Sequence, residues 1–269
     1  MKRLLFIFLL LCYQLKCTYV YSQIADLQFN ITDSLSFAAN FINTDINGRV
    51  YLANSQQLTV YDSLLTPLYS FQKQHNGKIT SLQVISPLKT LLYYSDFSTA
   101  VMLNSSLSEI NSTTTIFENE QATAVAAAAE GGFWFFSNKS KNLKYCTNNF
   151  QIQAQSSPAH TRNISGEEIL IISENNIFLL EPEKQIFMFD KYGTFLKTFP
   201  TPFATQFCIY KNNICYLAEN TIFFTSFSSN KPHSAIYFSK YYSLKTFIIT
   251  KNRLILAANE KVYFADFVW

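Results

Sequence analysis

Three histidines and five cysteines are spread through the 269 residues, and their spacing limits the chemistry open to the chain. His75, His160 and His233 stand far apart, and no two share a spacing that would put two ligands on one metal. Gly-rich phosphate loops have no support, with only 6 Gly in the chain. Neither Gly-x-Ser-x-Gly nor His-Glu-x-x-His occurs, so nucleophile-elbow and zincin chemistry have no local basis. No cofactor is implied. What remains is chemistry assembled in space from distant segments.

Three such assemblies can be written down. Asn54, Asp96, Asn138, Glu181, Glu219 and Asn259 each follow an apolar run, and together they would ring one face with side-chain oxygens able to hold a cation. The competing reading is that each caps its own turn by accepting backbone N–H bonds. A second grouping, His75, His160, Arg162, Tyr241 and Tyr242, falls in connecting segments that could open on a common face and contact a sugar or peptide. Thirdly, Cys208 and Cys215 lie on apolar runs joined by Lys211-Asn212-Asn213, so a hairpin would bring both thiols to one side, adjacent or diagonal. A disulfide is open to them in an oxidising compartment. Two small buried hydrophobes is the equal alternative.

The elements that must position these groups are strands. Aromatic residues make up 16% of the chain, with 26 Phe and 16 Tyr, and such residues fit pleated, half-buried surfaces. Asp45-Ile-Asn-Gly-Arg-Val-Tyr-Leu-Ala-Asn54, Leu58-Thr-Val-Tyr-Asp62 and Pro67-Leu-Tyr-Ser-Phe71 read as turn, strand, loop, strand, loop, strand. A second copy runs through Glu174-Asn-Asn-Ile-Phe-Leu-Leu-Glu181, Gln185-Ile-Phe-Met-Phe-Asp190 and Gly193-Thr-Phe-Leu-Lys-Thr-Phe199. Four looser copies follow the same order. Aligned on Ala53, Ser95, Ser137, Leu180, Ala218 and Ala258, they are spaced by 42, 42, 43, 38 and 40 residues. A period of about 41 with several short strands is that of a propeller blade.

Each unit is preceded by a further apolar stretch suited to an innermost strand: Ser36 to Ile42, Ile79 to Ile85, Ala122 to Ala129, Glu168 to Ile172, Gln206 to Tyr210 and Leu244 to Thr250. Propensity alone makes Ala122 to Ala129 a helix. Its place in the repeat makes it a strand. Only Asn40, Glu167 and Glu168 offer polar groups for catalysis in or beside these stretches. The last unit stops one strand short, and Ala25 to Ile31 is spare, so this N-terminal strand is expected to complete the last blade and close the ring. The fold expected is an all-β, six-bladed β-propeller over residues 23–269.

Met1-Lys2-Arg3 followed by the apolar run Leu4 to Cys12 is too short to span a bilayer and reads as a signal peptide over residues 1–22, cleaved after Ser22. The chain is thus expected to be exported, periplasmic or secreted. A lipid anchor at Cys12 or Cys17 is the competing reading and lacks the small residues a lipobox needs. Net charge is +3 with scattered basic residues, which excludes the footprint of a nucleic-acid binder. Nothing beyond the N-terminal run suggests a transmembrane segment.

Ile186-Phe-Met-Phe-Asp190 with Tyr192-Gly-Thr-Phe-Leu196 resembles the blade pattern of six-bladed propellers of the NHL and TolB-like kind. That resemblance implies a scaffold and not one activity, since such propellers bind proteins, RNA or sugars or act as lactonases and lyases. The function expected is a non-catalytic protein- or glycan-binding module of the cell envelope, a monomer or a part of an envelope complex. The alternative is a metal-dependent hydrolase or lyase with its site at the axial mouth.

Overall fold

A computed structural model describes residues 25–73, 75–128, 130–164, 168–173, 175–239, 242–251 and 253–267. The proposed signal segment, Glu167 and Tyr241 lie outside the described residues. The first strands are β1 (Ala25–Asp26) and β2 (Phe29–Ser36). Six antiparallel sheets follow. Blade one is β3 (Phe41–Thr44), β4 (Val50–Ala53), β5 (Gln57–Tyr61) and β6 (Pro67–Gln72). Blade two is β7 (Ser81–Ser86), β8 (Lys89–Tyr94), β9 (Thr99–Leu103) and β10 (Glu109–Thr113). A short helix, α1 (Thr115–Asn119), leads into blade three: β11 (Ala122–Ala127), β12 (Phe133–Ser137), β13 (Asn142–Cys146) and β14 (Ile152–Gln155).

Blade four is β15 (Ile169–Ser173), β16 (Asn176–Glu181), β17 (Gln185–Asp190) and β18 (Phe195–Pro200), the second clear copy of the repeat. Blade five is β19 (Ala204–Tyr210), β20 (Asn213–Ala218), β21 (Thr221–Ser226) and β22 (Ser234–Tyr237). Blade six has β23 (Leu244–Thr250), β24 (Arg253–Ala258) and β25 (Lys261–Phe267), and takes β2 as its outer strand. The chain is an all-β, six-bladed propeller closed by its N-terminal strand, and the alanine-rich segment is a strand. Among the described residues no helix is long and apolar enough to cross a membrane.

Side-chain alternation explains why these strands read as nearly continuous apolar runs. In β16, Phe178 and Leu180 pack toward blade five while Ile177 and Leu179 pack toward blade three. Successive side chains point to opposite faces, and in a propeller both faces of a blade are covered by neighbours. Six core clusters fill the six junctions in this way. The helix adds to one of them: Phe117 is fully buried and meets Tyr93, Phe133 and Phe135 edge-on at 5.9, 6.1 and 5.4 Å.

Turn chemistry sets the register. Asp190 Oδ1 accepts the backbone N–H of Tyr192 and of Thr194, at 2.9 and 2.8 Å. Asp62 does the same for Leu64 and Thr66, and Asn104 for Ser106 and Ser108. The acid or amide ending each of these third strands therefore folds the hairpin to the outer strand. Gly132 has φ +73, and a Cβ there would sit 2.2 Å from the carbonyl oxygen of Cys146, so that turn requires glycine.

Strand ends shift by one or two residues from the sequence reading in several blades, and two boundaries differ by more. The closing strand spans Phe29–Ser36 and not Ala25–Ile31, because pairing from Phe29↔Phe267 to Ser36↔Lys261 satisfies the backbone along the whole length of β25. Blade one's inner strand is correspondingly shorter than Ser36 to Ile42, since residues 37–40 carry the chain from the outside of blade six to the inside of blade one. Residues freed at the front form β1, which adds in parallel to β22 of blade five through Ala25↔Ser234 and Asp26↔Ala235. Leu27 and Phe29 pack on the junction of blades five and six, with the Phe29 ring 4.8 Å from that of Phe238. The N-terminus thus ties two blades.

Removing residues 25–36 should expose β25 as an open edge over a partly uncovered core. The expected outcome is a lower Tm and concentration-dependent association by size-exclusion chromatography; a truncated chain that stays monomeric with an unchanged Tm would show that the clasp contributes nothing.

Candidate functional site

The innermost strands of all six blades enclose a cavity of about 300 Å³ on the propeller axis. Its wall mixes aliphatic and polar side chains, Asn43, Gln83, Thr123, Glu168, Gln206 and Thr246 among the polar ones. Two of these knit adjacent blades. The Gln83 amide donates to the Ala127 carbonyl at 3.3 Å and accepts the Ala127 N–H at 2.7 Å, so it imitates a strand partner between blades two and three. Asn43 donates to the carbonyl of Leu82 at 3.5 Å.

Glu168 differs. It is 6% exposed, and among the described residues neither carboxyl oxygen has a partner within hydrogen-bond geometry, nor does the hydroxyl of Thr123 nearby. Burial pushes its pKa up, the Thr123 hydroxyl, its own backbone and the Lys141 charge offset this only in part, and Glu181 reinforces it. Burial of a carboxylate works against its charged form, and that is the largest influence here. Glu120 shows the contrast: burial raises its pKa, but hydrogen bonds from Lys144 at 2.6 Å and Ser137 at 2.8 Å more than offset that, and the net shift is downward.

A second concavity, of about 390 Å³, lies between blades three and four. Trp134 and Tyr145 form its floor, with ring centroids 5.5 Å apart, and the Tyr145 hydroxyl is anchored on the carbonyl of Gly131 at 2.8 Å. Gln153, Asn175 and Asn176 supply amides. The lip is the β17–β18 turn, where Tyr192 is 70% exposed beneath the Lys191 ammonium, 5.1 Å from the ring centroid. Lys191 also reaches Glu130 across the opening at 3.4 Å. That turn closes onto the floor only because residue 193 is glycine: a Cβ would stand 2.8 Å from Cη2 of Trp134. Aromatic surface, amides and one movable ion pair suit a ligand with alternating apolar and polar faces.

Five of the six oxygen-bearing residues hold partners within the protein. Asn54 Oδ1 accepts the N–H of Gln56 and of Gln57, both at 2.9 Å; Asp96 accepts that of Lys78 at 3.0 Å, and Asn259 that of Ser243 at 3.1 Å. Asn138 pairs with Lys141, Glu181 with Lys184 and Gln185, and Glu219 occupies a left-handed turn position at φ 54. Among the described residues no group of three or more His, Cys, Asp or Glu could hold a metal ion.

His75 and Arg162 are exposed in the linkers from blade one to two and blade three to four. His160 stacks on Phe195 of the neighbouring outer strand at 3.7 Å. Tyr242 packs edge-on against Phe238 and Tyr263. Among the described residues no hydrogen bond or ring contact joins any two of His75, His160, Arg162 and Tyr242, and their linkers belong to alternate blade junctions. Asn40 uses its backbone N–H on the carbonyl of Ala53. Cys208 and Cys215 face each other in register as two free, buried thiols. The groove was missed in sequence, and its one signal was Tyr192, an aromatic at a turn apex with no core to enter.

No family model matches the chain, and no curated protein matches it in sequence. Solved structures do match in shape. Virginiamycin B lyase from Staphylococcus aureus superimposes with a TM-score of 0.64 at 11% identity, over 90% of this chain and 100% of that one. The β-propeller domain of Myceliophteria thermophila Cps50 (Swd1) gives 0.64 at 9% identity, over 89% and 99%. Raptor from Chaetomium thermophilum gives 0.65 at 9% identity, covering 93% of this chain and 30% of that larger one. At such identities the likeness shows the propeller fold alone.

Glu168 yields a pH test. Its raised pKa means that stability is lost as pH rises from the unfolded carboxylate range through the folded value, because only the unfolded chain then gains by ionising. Glu168→Gln keeps the shape and removes the ionisation. Melts from about pH 4 to about pH 8 should show the variant gaining Tm over the native chain at the alkaline end, the gap closing in acid. Parallel curves would show that Glu168 ionises freely in the fold.

Proposed function

We propose that the chain is an exported, non-catalytic propeller that binds a protein or glycan at the cell envelope, with the groove between blades three and four as its capture site. The observation carrying this reading is the groove itself. It combines a fixed aromatic floor, an exposed tyrosine lip and three amides, the mixture by which interfaces gain affinity from a few aromatic anchors. The resemblance of blade four to NHL and TolB-like propellers supports a binding scaffold, and the N-terminal residues support export. No step of chemistry is needed at the groove, since the ion pair at its lip can exchange partners with an incoming polar group.

A second reading, a lyase or hydrolase at the axial mouth, is favoured by Glu168, the one acid on the cavity wall among the described residues, and by the shape shared with virginiamycin B lyase. It requires a divalent ion if the chemistry is metal-dependent. Elemental analysis of protein purified without chelator separates the two.

Tyr192→Ala removes the lip without touching the core. Binding to an envelope extract or glycan array, read for native and variant chains side by side, should weaken about 10- to 30-fold with unchanged Tm. Equal binding by both chains, or turnover of a substrate by the purified native protein, would overturn the proposal.

A further inference from the structure

The two cysteines of blade five share a position that no other pair of reactive groups in the described residues has. We propose that Cys208 and Cys215 are a redox-active dithiol on the wall of the axial cavity, which closes to a cross-strand disulfide by exchange with a small disulfide entering that cavity. Cys208 sits in the innermost strand β19 and Cys215 in β20, directly opposite each other in an antiparallel pair. Both side chains enter the same core cluster, so they leave their strands on one face. Opposed residues of antiparallel strands have Cα atoms about 4.5 to 5.5 Å apart, within the roughly 4.4 to 6.8 Å that a disulfide spans. The Cys208 thiol lies close enough to Cys215 to act on it.

Access is one-sided. Cys208 is 7% exposed and lines the cavity, whereas Cys215 is fully buried behind it. Burial, reinforced by the Cys208 thiol beside it, holds the Cys215 thiol well above the usual range. These facts order the steps. Cys208 as thiolate attacks one sulfur of the reagent RS–SR; that S–S bond breaks, RS⁻ departs and takes up a proton, and a mixed disulfide is left on Cys208. Cys215 then gives up its proton and attacks Sγ of Cys208, expelling the second RS⁻, which leaves as the thiol. The protein loses two electrons and two protons, and the reagent gains both. Cys146, buried in blade three with its thiol pushed to about 11, faces no cysteine among the described residues and serves as an internal control.

The consequence for the fold is local. A bridge would fasten the first and second strands of blade five beside the junction that the N-terminal clasp also covers. Residence in the closed form rests on the exported reading above; the capacity to close does not.

The test uses the purified full chain, reduced and then treated under native conditions with 2-hydroxyethyl disulfide, which is small enough for the cavity. Trypsin cuts after Lys211, between the two cysteines, so a bridge joins two tryptic peptides that mass spectrometry identifies. The expected result is that linked pair, with closure slowing as pH is lowered because Cys215 must ionise. Cys215→Ala should instead hold one hydroxyethyl adduct on Cys208. Native protein that keeps an open adduct on Cys208, or that reacts only when unfolded, would overturn the proposal. If Cys215→Ala does not fold, the native peptide map decides alone, and Cys208→Ala should leave Cys215 unmodified. Groove binding measured on the same samples is independent of the outcome, so failure of the dithiol and failure of the binding reading are told apart.

Discussion

Each blade of this propeller is a sheet with two apolar faces, and neither face can be left in water. A four-stranded sheet alone can turn one side to solvent, and its sequence then alternates. Here Ile177 and Leu179 of β16 are as buried as Phe178 and Leu180, so blade four needs a neighbour on both sides, and so does every other blade. Only a closed ring meets that demand for all six. The burial on each face is worth about 25 cal/mol per Å² of apolar surface removed from water, which makes an open array with two bare end faces strongly unfavourable. Closure is therefore the condition on which the other features depend, and the N-terminal strand is the device that secures it.

Closure in turn restricts where polar groups can go. The polar residues at strand ends are consumed in holding turns, as Asp62, Asn104 and Asp190 do, or in ties between blades. Asp45 is such a tie: it accepts from Arg49 at 2.7 Å and from the Tyr51 hydroxyl at 3.2 Å, while Arg49 reaches across to the carbonyl of Pro87 in blade two at 2.7 Å. Burial, with the Asp45 charge beside it, pushes the Tyr51 pKa to about 12, so that hydroxyl remains a donor throughout the physiological range. Near the axis Gln83 serves in the same way. These groups fix angle and register between sheets whose apolar contacts alone would tolerate sliding.

The fold was legible because its signals are periodic. Repeats near 41 residues, strand-type composition and a final unit lacking its outer strand together determine six blades and a clasp. What escaped was governed by pairing lengths that composition does not display. The clasp runs on to Ser36 because β25 offers backbone partners that far. The helix Thr115–Asn119 forms where Phe117 finds a pocket among Tyr93, Phe133 and Phe135, a tertiary gain invisible in a segment of Thr, Asn and Glu. The site was less legible still. The oxygen ring was drawn from aligned positions, but alignment along the chain says nothing about whether a side chain faces the axis or its own turn. The groove draws Trp134, Tyr145 and Tyr192 from three different strands and turns of two blades, and no spacing within one repeat announces it.

Unused polar capacity is then the guide to function in a molecule built this way. Buried polar groups in folded proteins are nearly always satisfied, so the exceptions carry information. Against neighbours such as Gln83 and Asn43, which are consumed in knitting strands, the Glu168 carboxyl has no hydrogen-bond partner among the described residues, and Cys208 and Cys215 face each other in register. At the groove the amides of Gln153, Asn175 and Asn176 line an aromatic hollow whose lip, Tyr192, contributes nothing to the core. A buried acid costs stability and an exposed tyrosine costs solubility in the fold taken alone, so these are the positions at which a proton or a bound partner would have the most effect.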